Sequence, residues 1–271
     1  MNTQSNAISE TPLGSQVITA AEIPATRRMY WAVRRELWEN RSIFIAPVTV
    51  AGLALVAFLI STIHLPAKMR VASALSAMEQ HKLIAQPYFI AAGLMMLTTL
   101  AVGMFYCLDA LYGERRDRSI LFWKSLPLSD LETVLSKAIT PVVILPLVTF
   151  GIAVVTQWIM LLVSSAVLLG SGLSVATLWA HGSLFQTWLT LLYHLLTVHG
   201  LWYAPIYGWL LLVSAWARRA PFLWAALPPL AIAAVEKIAF NTSHFGAMLV
   251  QRIIGGPADD GIMASSLSMD P

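Results

Sequence analysis

Charge is what this sequence has least of. Asp, Glu, Lys and Arg make up 11% of the chain while 58% is apolar, against about 25% charged residues in soluble domains. A water-soluble fold needs a polar covering that this composition does not supply, so extramembrane structure is confined to short loops and the two ends. Cysteine is nearly missing: Cys107 stands alone, cannot pair within the chain and says nothing about redox compartment. The first residues lack the apolar core of a secretory signal peptide; Met1 to Ala25 is polar, carries Pro12, Gly14 and Pro24, and is expected to be a disordered tail. Chemical motifs are missing as well. There is no Gly-rich phosphate loop and no room for a nucleotide-binding domain, and no His-Glu-x-x-His, paired-Glu or Gly-x-Ser-x-Gly pattern, so no catalytic residue and no metal site is assigned. His194 and His199 lie five apart, about 140° around a helix, which is not the shared face of an i, i+4 metal pair.

What is there is a set of long apolar runs. Leu83 to Leu108 and Ala138 to Ala217 contain no Asp, Glu, Lys or Arg, and the second run is far too long for one crossing of a hydrocarbon core of ~30 Å. The expected fold is all-α, a polytopic integral membrane helix bundle. Five spans are expected, near Ser42 to Ile63, Tyr88 to Leu108, Ala138 to Leu169, Leu184 to Ala215 and Pro221 to Phe240. The third and fourth exceed the ~20 residues a crossing needs and must tilt, kink or project, with Pro141, Pro146 and Pro205 as kink sites. Ahead of the first span, residues 26–41 read as an interfacial amphipathic helix. Met29, Val33 and Leu37 follow one helical line, Arg27, Arg34 and Arg41 another, and Arg35, Trp31 and Trp38 sit at headgroup level.

The scarce charges are concentrated. Asp109 to Lys137 holds ten of them between the two charge-free runs. With the N-terminus inside, twelve Lys or Arg fall on inner segments and five on outer ones, so the positive-inside rule places this loop and the N-terminus in the cytoplasm. The loop has its own punctuation. Tyr112 to Arg118 is strongly polar, Ser119 to Leu126 is apolar for about two helical turns, Pro127 ends that stretch, and Ser129 with Glu132 forms a capping box that starts the next helix.

The run Leu111-Tyr112-Gly113-Glu114-Arg115-Arg116-Asp117-Arg118-Ser119-Ile120-Leu121-Phe122-Trp123-Lys124-Ser125-Leu126-Pro127-Leu128-Ser129 resembles the cytoplasmic loop of permease subunits of type-2 ATP-binding-cassette (ABC) transporters. The residues 26–41 helix matches that family's connecting helix in position and character, and Leu201 to Trp209 through Arg218-Arg219-Ala220-Pro221 is similar to such permeases too. The resemblance implies a permease domain over residues 26–240, with 109–137 as a coupling loop that docks a separate ABC ATPase subunit through Glu114, Arg115, Arg116, Asp117, Arg118 and Trp123. It also implies a homodimer or a pairing with a similar permease, and no cofactor of the chain's own, ATP and Mg being bound by the ATPase. The alternative for these charges is that they only meet lipid headgroups. The family usually has six spans and ends inside. Residues 241–271 offer no sixth apolar run, so either the chain is cut before its last helix or it is a five-span variant with an extracytoplasmic C-terminal segment; His244 to Ile254 could form a short re-entrant helix.

The functional expectation is a non-enzymatic exporter permease of the bacterial inner (plasma) membrane, in contact with membrane lipids and not with nucleic acid. The competing class is a membrane anchor or sensor scaffold that docks a cytoplasmic partner without transport. Largely uncharged spans suit an amphipathic or lipid-like substrate, with Gln157, His194, His199 and Tyr203 as candidates to line its path. Glu236, within the last span, is expected to snorkel outward with Lys237.

Overall fold

In a computed structural model, the described residues are 24–72, 76–119, 129–176, 179 and 184–254. Among them the chain is all helical. The interfacial helix is α1 (Ala25–Glu39), which ends at Asn40, where the side-chain amide bonds the Glu36 carbonyl at 3.1 Å before α2 (Ser42–Thr62) begins. The short α3 (Leu65–Ala72), which the sequence pattern does not predict, leads to α4 (Ala77–Asp109). A Ser76–Glu79 capping box starts α4 well ahead of its expected span. After α5 (Tyr112–Arg116) comes α6 (Asp130–Ile139), and Ser129 caps it as its spacing predicts: its hydroxyl accepts from Glu132 N at 3.1 Å and its own N donates to Glu132 Oε2 at 3.0 Å. The apolar stretch expected at Ser119 to Leu126, apart from Ser119, lies outside the described residues. So does nearly all of the N-terminal tail.

The long apolar runs are continuous helices with local faults. Helix α6 passes through a π-helical turn, Thr140–Ile144, into α7 (Leu145–Gly170), so Pro141 and Pro146 widen a helix rather than stop it. The next run is broken. Helix α8 (Leu184–His194) widens into a second π segment, Leu195–Trp202, and meets α9 (Ala204–Trp216) at a 46° bend next to Pro205. Helix α10 (Pro221–Phe240) has the expected bounds, and α11 (His244–Ile254) folds back against it. Among the described residues four helices are long and apolar enough to cross a membrane, five if the bent pair counts as one, which fits a helical membrane bundle.

Three apolar clusters hold the bundle together. One joins Ile43, Cys107, Leu145, Tyr207 and Leu210; a second joins Ala51, Ala92, Met95, Ala153 and Leu195; the third joins Phe58, Ile84, Tyr88, Met160 and Leu168. Small residues set the closest approaches. A Cβ on Gly200 would lie 2.8 Å from the Val142 carbonyl oxygen, so the two π segments touch backbone to backbone only because residue 200 is glycine. Likewise Gly103 leaves room for the Tyr207 ring, whose hydroxyl would be 3.0 Å from a Cβ there. Helix α10 differs from the rest: only 6% of its apolar window is buried.

Candidate functional site

Several of the charges that flank the apolar core turn away from solvent. They converge at one end of the bundle. Helix α1 turns Ala32 and Glu36 inward, and Glu36 is 2% exposed. Lys137, from the end of α6, is 1% exposed; its Nζ lies 2.8 Å from Glu36 Oε1 and 3.0 Å from Glu114 Oε1. Tyr106 of α4 donates its hydroxyl to Glu36 Oε2 at 2.9 Å. Arg35 completes the set, pairing with Glu114 and donating through Nε to Glu39 Oε1 at 2.9 Å. On the rim, Arg28 holds Glu132 Oε1 at 2.9 and 3.1 Å.

Two cations thus face two carboxylates, with Glu36 and Lys137 fully buried and Arg35 and Glu114 half-buried. An isolated ion here would cost several kcal/mol in lost hydration, so each member is tolerable only because the others are in place. The carboxylates of Glu36, Glu39 and Glu114 come within 4.8 Å of one another, a spacing that could hold a cation. The Lys137 ammonium and the Arg35 guanidinium already bind them, so the cluster reads as an ion-paired lock.

A second tie runs from the same segment to α9. Ser214 Oγ accepts from Leu111 N at 3.0 Å and Tyr112 N at 2.9 Å, capping α5 from a different helix. Arg115 Nη2 in return donates to the Ser214 and Ala217 carbonyls, both at 2.7 Å, at the C-terminal end of α9. Residues 111–115 are therefore bolted to α1 and α6 through Glu114 and to α9 through Arg115.

The expected docking residues divide accordingly. Glu114 and Arg115 are half-buried and engaged within the chain; Arg116, Asp117 and Arg118 are exposed, with Arg116 Nε on Asp117 Oδ1 at 3.1 Å and Arg118 in the left-handed region at φ 58°. Trp123 lies outside the described residues. In α1, Arg27 is exposed and Arg34 stacks its guanidinium over exposed Trp31 and Trp38, 5.0 and 5.8 Å from the ring centroids, whereas Arg35 turns inward to the lock. Glu36, Tyr106 and Lys137 had not been singled out. The signal for Glu36 was present: it falls between Val33 and Leu37 on the apolar side of α1, where a lone carboxylate needs a partner.

Of the four candidates for a substrate path, His199 and Tyr203 are in edge-to-face contact, ring centroids 5.5 Å apart, while Gln157 and His194 bond elsewhere. Gln157 is buried and bridges helices, donating Nε2 to the Tyr88 carbonyl at 3.3 Å and accepting from Trp188 Nε1 at 2.7 Å. His199 Nε2 binds the Met96 carbonyl at 2.9 Å, Tyr203 donates its hydroxyl to the Ile253 carbonyl at 2.7 Å, and exposed His194 bonds its own helix at Thr190. Apart from that of His194, these bonds tie a side chain of one helix to the backbone or a side chain of another. Glu236, expected to snorkel with Lys237, instead caps α11: Oε1 accepts from Thr242 Oγ1 at 3.0 Å and His244 N at 2.8 Å, and Oε2 from Phe245 N at 2.9 Å.

Fold and lock together describe a helical membrane bundle with a charged, internally braced end. Compared with protein-family models, with curated proteins and with solved structures, the chain matches none.

Proposed function

We propose that the chain is the permease subunit of an ATP-driven transporter of the type-2 ATP-binding-cassette kind. It exports an amphipathic or lipid-like molecule across the bacterial inner membrane, with the N-terminus and the charged end in the cytoplasm. It has no nucleotide chemistry of its own. A separate ABC ATPase binds ATP and Mg, and two permeases, identical or similar, assemble around the path.

The observation that supports this reading is how the segment before Arg116 is anchored. Glu114 is tied to Lys137 and Arg35, and Arg115 to the end of α9, so the exposed residues 116–118 emerge from a point braced against α1, α4, α6 and α9. A partner bearing on that exposed turn moves four helices together. A turn that merely met headgroups would need no such bracing.

The test is association with an ABC ATPase, the proposed partner. Because Arg115 is structural, the clean variant is Arg116→Glu with Arg118→Glu, which alters exposed charges alone. Co-purification of the ATPase with the wild-type chain and its loss with the double variant supports docking. Equal recovery with both rejects it.

A further inference from the structure

At the end of the bundle opposite the lock, α2, α3, α4 and α7 part around a cleft of about 470 Å³. That volume lies within the range of about 300–1,000 Å³ found for small-molecule pockets. Its wall is apolar, built from Ala54, Phe58, Met69, Ile84 and Met160. Polar side chains interrupt it: Ser61, Thr62 and Gln86, and three groups that bear on a ligand, Tyr88, Ser164 and Lys68. Tyr88 lines the cleft and is 5% exposed; its hydroxyl stands beside the Ser164 hydroxyl but makes no hydrogen bond within 3.5 Å. Ser164 spends its hydroxyl proton on the Met160 carbonyl at 2.9 Å, which leaves its oxygen free only to accept. Lys68, on α3, is exposed and lines the same cleft, and it makes no ion pair among the described residues. Glu79, the acid at the start of α4, is occupied by Ser76, whose N and Oγ donate to it at 3.2 and 2.9 Å.

A buried phenol hydroxyl that makes no hydrogen bond is costly. A ligand that brings an oxygen acceptor to Tyr88, an apolar chain to the wall and a negative charge to Lys68 satisfies all three features at once. The cleft also reaches the outside of the bundle, where Ile90 and Leu94 are exposed, so such a ligand can enter sideways from the bilayer. We propose that this cleft binds an anionic phospholipid of the surrounding bilayer, one acyl chain lying between α2, α4 and α7, an ester oxygen accepting from the Tyr88 hydroxyl and the headgroup phosphate paired with Lys68.

The site stands apart from the ATPase reading and needs no ATPase to be tested. The full chain is reconstituted in phosphatidylcholine vesicles containing a trace of phosphatidylglycerol, or of phosphatidylcholine, with a diazirine on one acyl chain. After illumination the labelled peptides are mapped. Saturable labelling of residues 54–62 or 83–94 by the phosphatidylglycerol probe is expected, competed by unlabelled phosphatidylglycerol. Ala57→Trp, at an exposed position on the cleft, removes that labelling while the protein stays folded. Lys68→Gln lowers it by about two- to fivefold, the weight of one solvent-reached ion pair, and leaves the phosphatidylcholine probe unchanged. Tyr88→Phe weakens both probes at this site. Labelling scattered over all exposed helix faces, or undiminished by Ala57→Trp, overturns the proposal; equal labelling by both probes overturns the headgroup assignment to Lys68.

Discussion

The same helices are packed by opposite rules at the two ends of this bundle. Where α1 crosses them, α4 and α6 are joined by buried charge, Tyr106 and Lys137 closing on Glu36 at 2.9 and 2.8 Å. At the far end, α2, α4 and α7 part around an apolar cleft in which the Tyr88 hydroxyl makes no hydrogen bond within 3.5 Å. Charge pairs in a dry setting fix distance and direction, because a small displacement exposes an unbalanced ion. Apolar contacts lack that directionality. One end is thus suited to transmitting a movement, the other to yielding around a ligand.

The comparison breaks first at Lys137. Lys137→Met strands Glu36 without its cation and is expected to destabilise the full chain in detergent by about 3–5 kcal/mol, read from thermal or denaturant unfolding. Adding Glu36→Gln to that variant should restore part of the loss, and a single Lys137→Met as stable as wild type would mean the lock is ornamental. Next comes the junction between the two ends. Gly200→Val drives a side chain into the Val142 carbonyl and should cost about 1–3 kcal/mol by overpacking, whereas Gly208→Ala, with nothing within 4 Å, should cost far less; equal effects would refute the close contact of the π segments.

Smaller effects sharpen the contrast. Glu236→Ala removes the cap of α11 and should cost about 0.5–2 kcal/mol, with faster amide hydrogen exchange confined to 244–254; unchanged exchange there would deny the cap. Lys68→Met, the same chemical change as Lys137→Met made at the exposed rim of the cleft, should alter stability by no more than about 0.5 kcal/mol. A loss comparable to that at Lys137 would mean that Lys68 has a structural partner in the fold.

The apolar architecture was legible because hydropathy is a local property: the bounds of α10 and the Ser129–Glu132 cap follow from neighbouring residues. The kink at Pro205 was legible for the same reason. The lock was not, because its bonds join residues 70 and 101 positions apart, and in the sequence Lys137 counts as one more positive charge on the inner side. Gln157, His199 and Tyr203 have bonding roles that the sequence does not show. Polar side chains in an apolar run suggest a wet path, yet here each supplies a bond to another helix's backbone or side chain, the other use that a helix bundle makes of polar residues. The cleft escaped notice because its lining is apolar, apart from Lys68 and a few hydroxyls and amides, and residues of that kind are common throughout the chain.

The most direct test of the braced end is the ATP hydrolysis rate of the ABC ATPase proposed as its partner, reconstituted in vesicles with this chain or with its Arg116→Glu/Arg118→Glu variant. Transmission through the braced turn predicts a rate that rises with the wild-type chain and falls to that of the ATPase alone with the variant. A rate unaffected by the presence of the wild-type chain would contradict it.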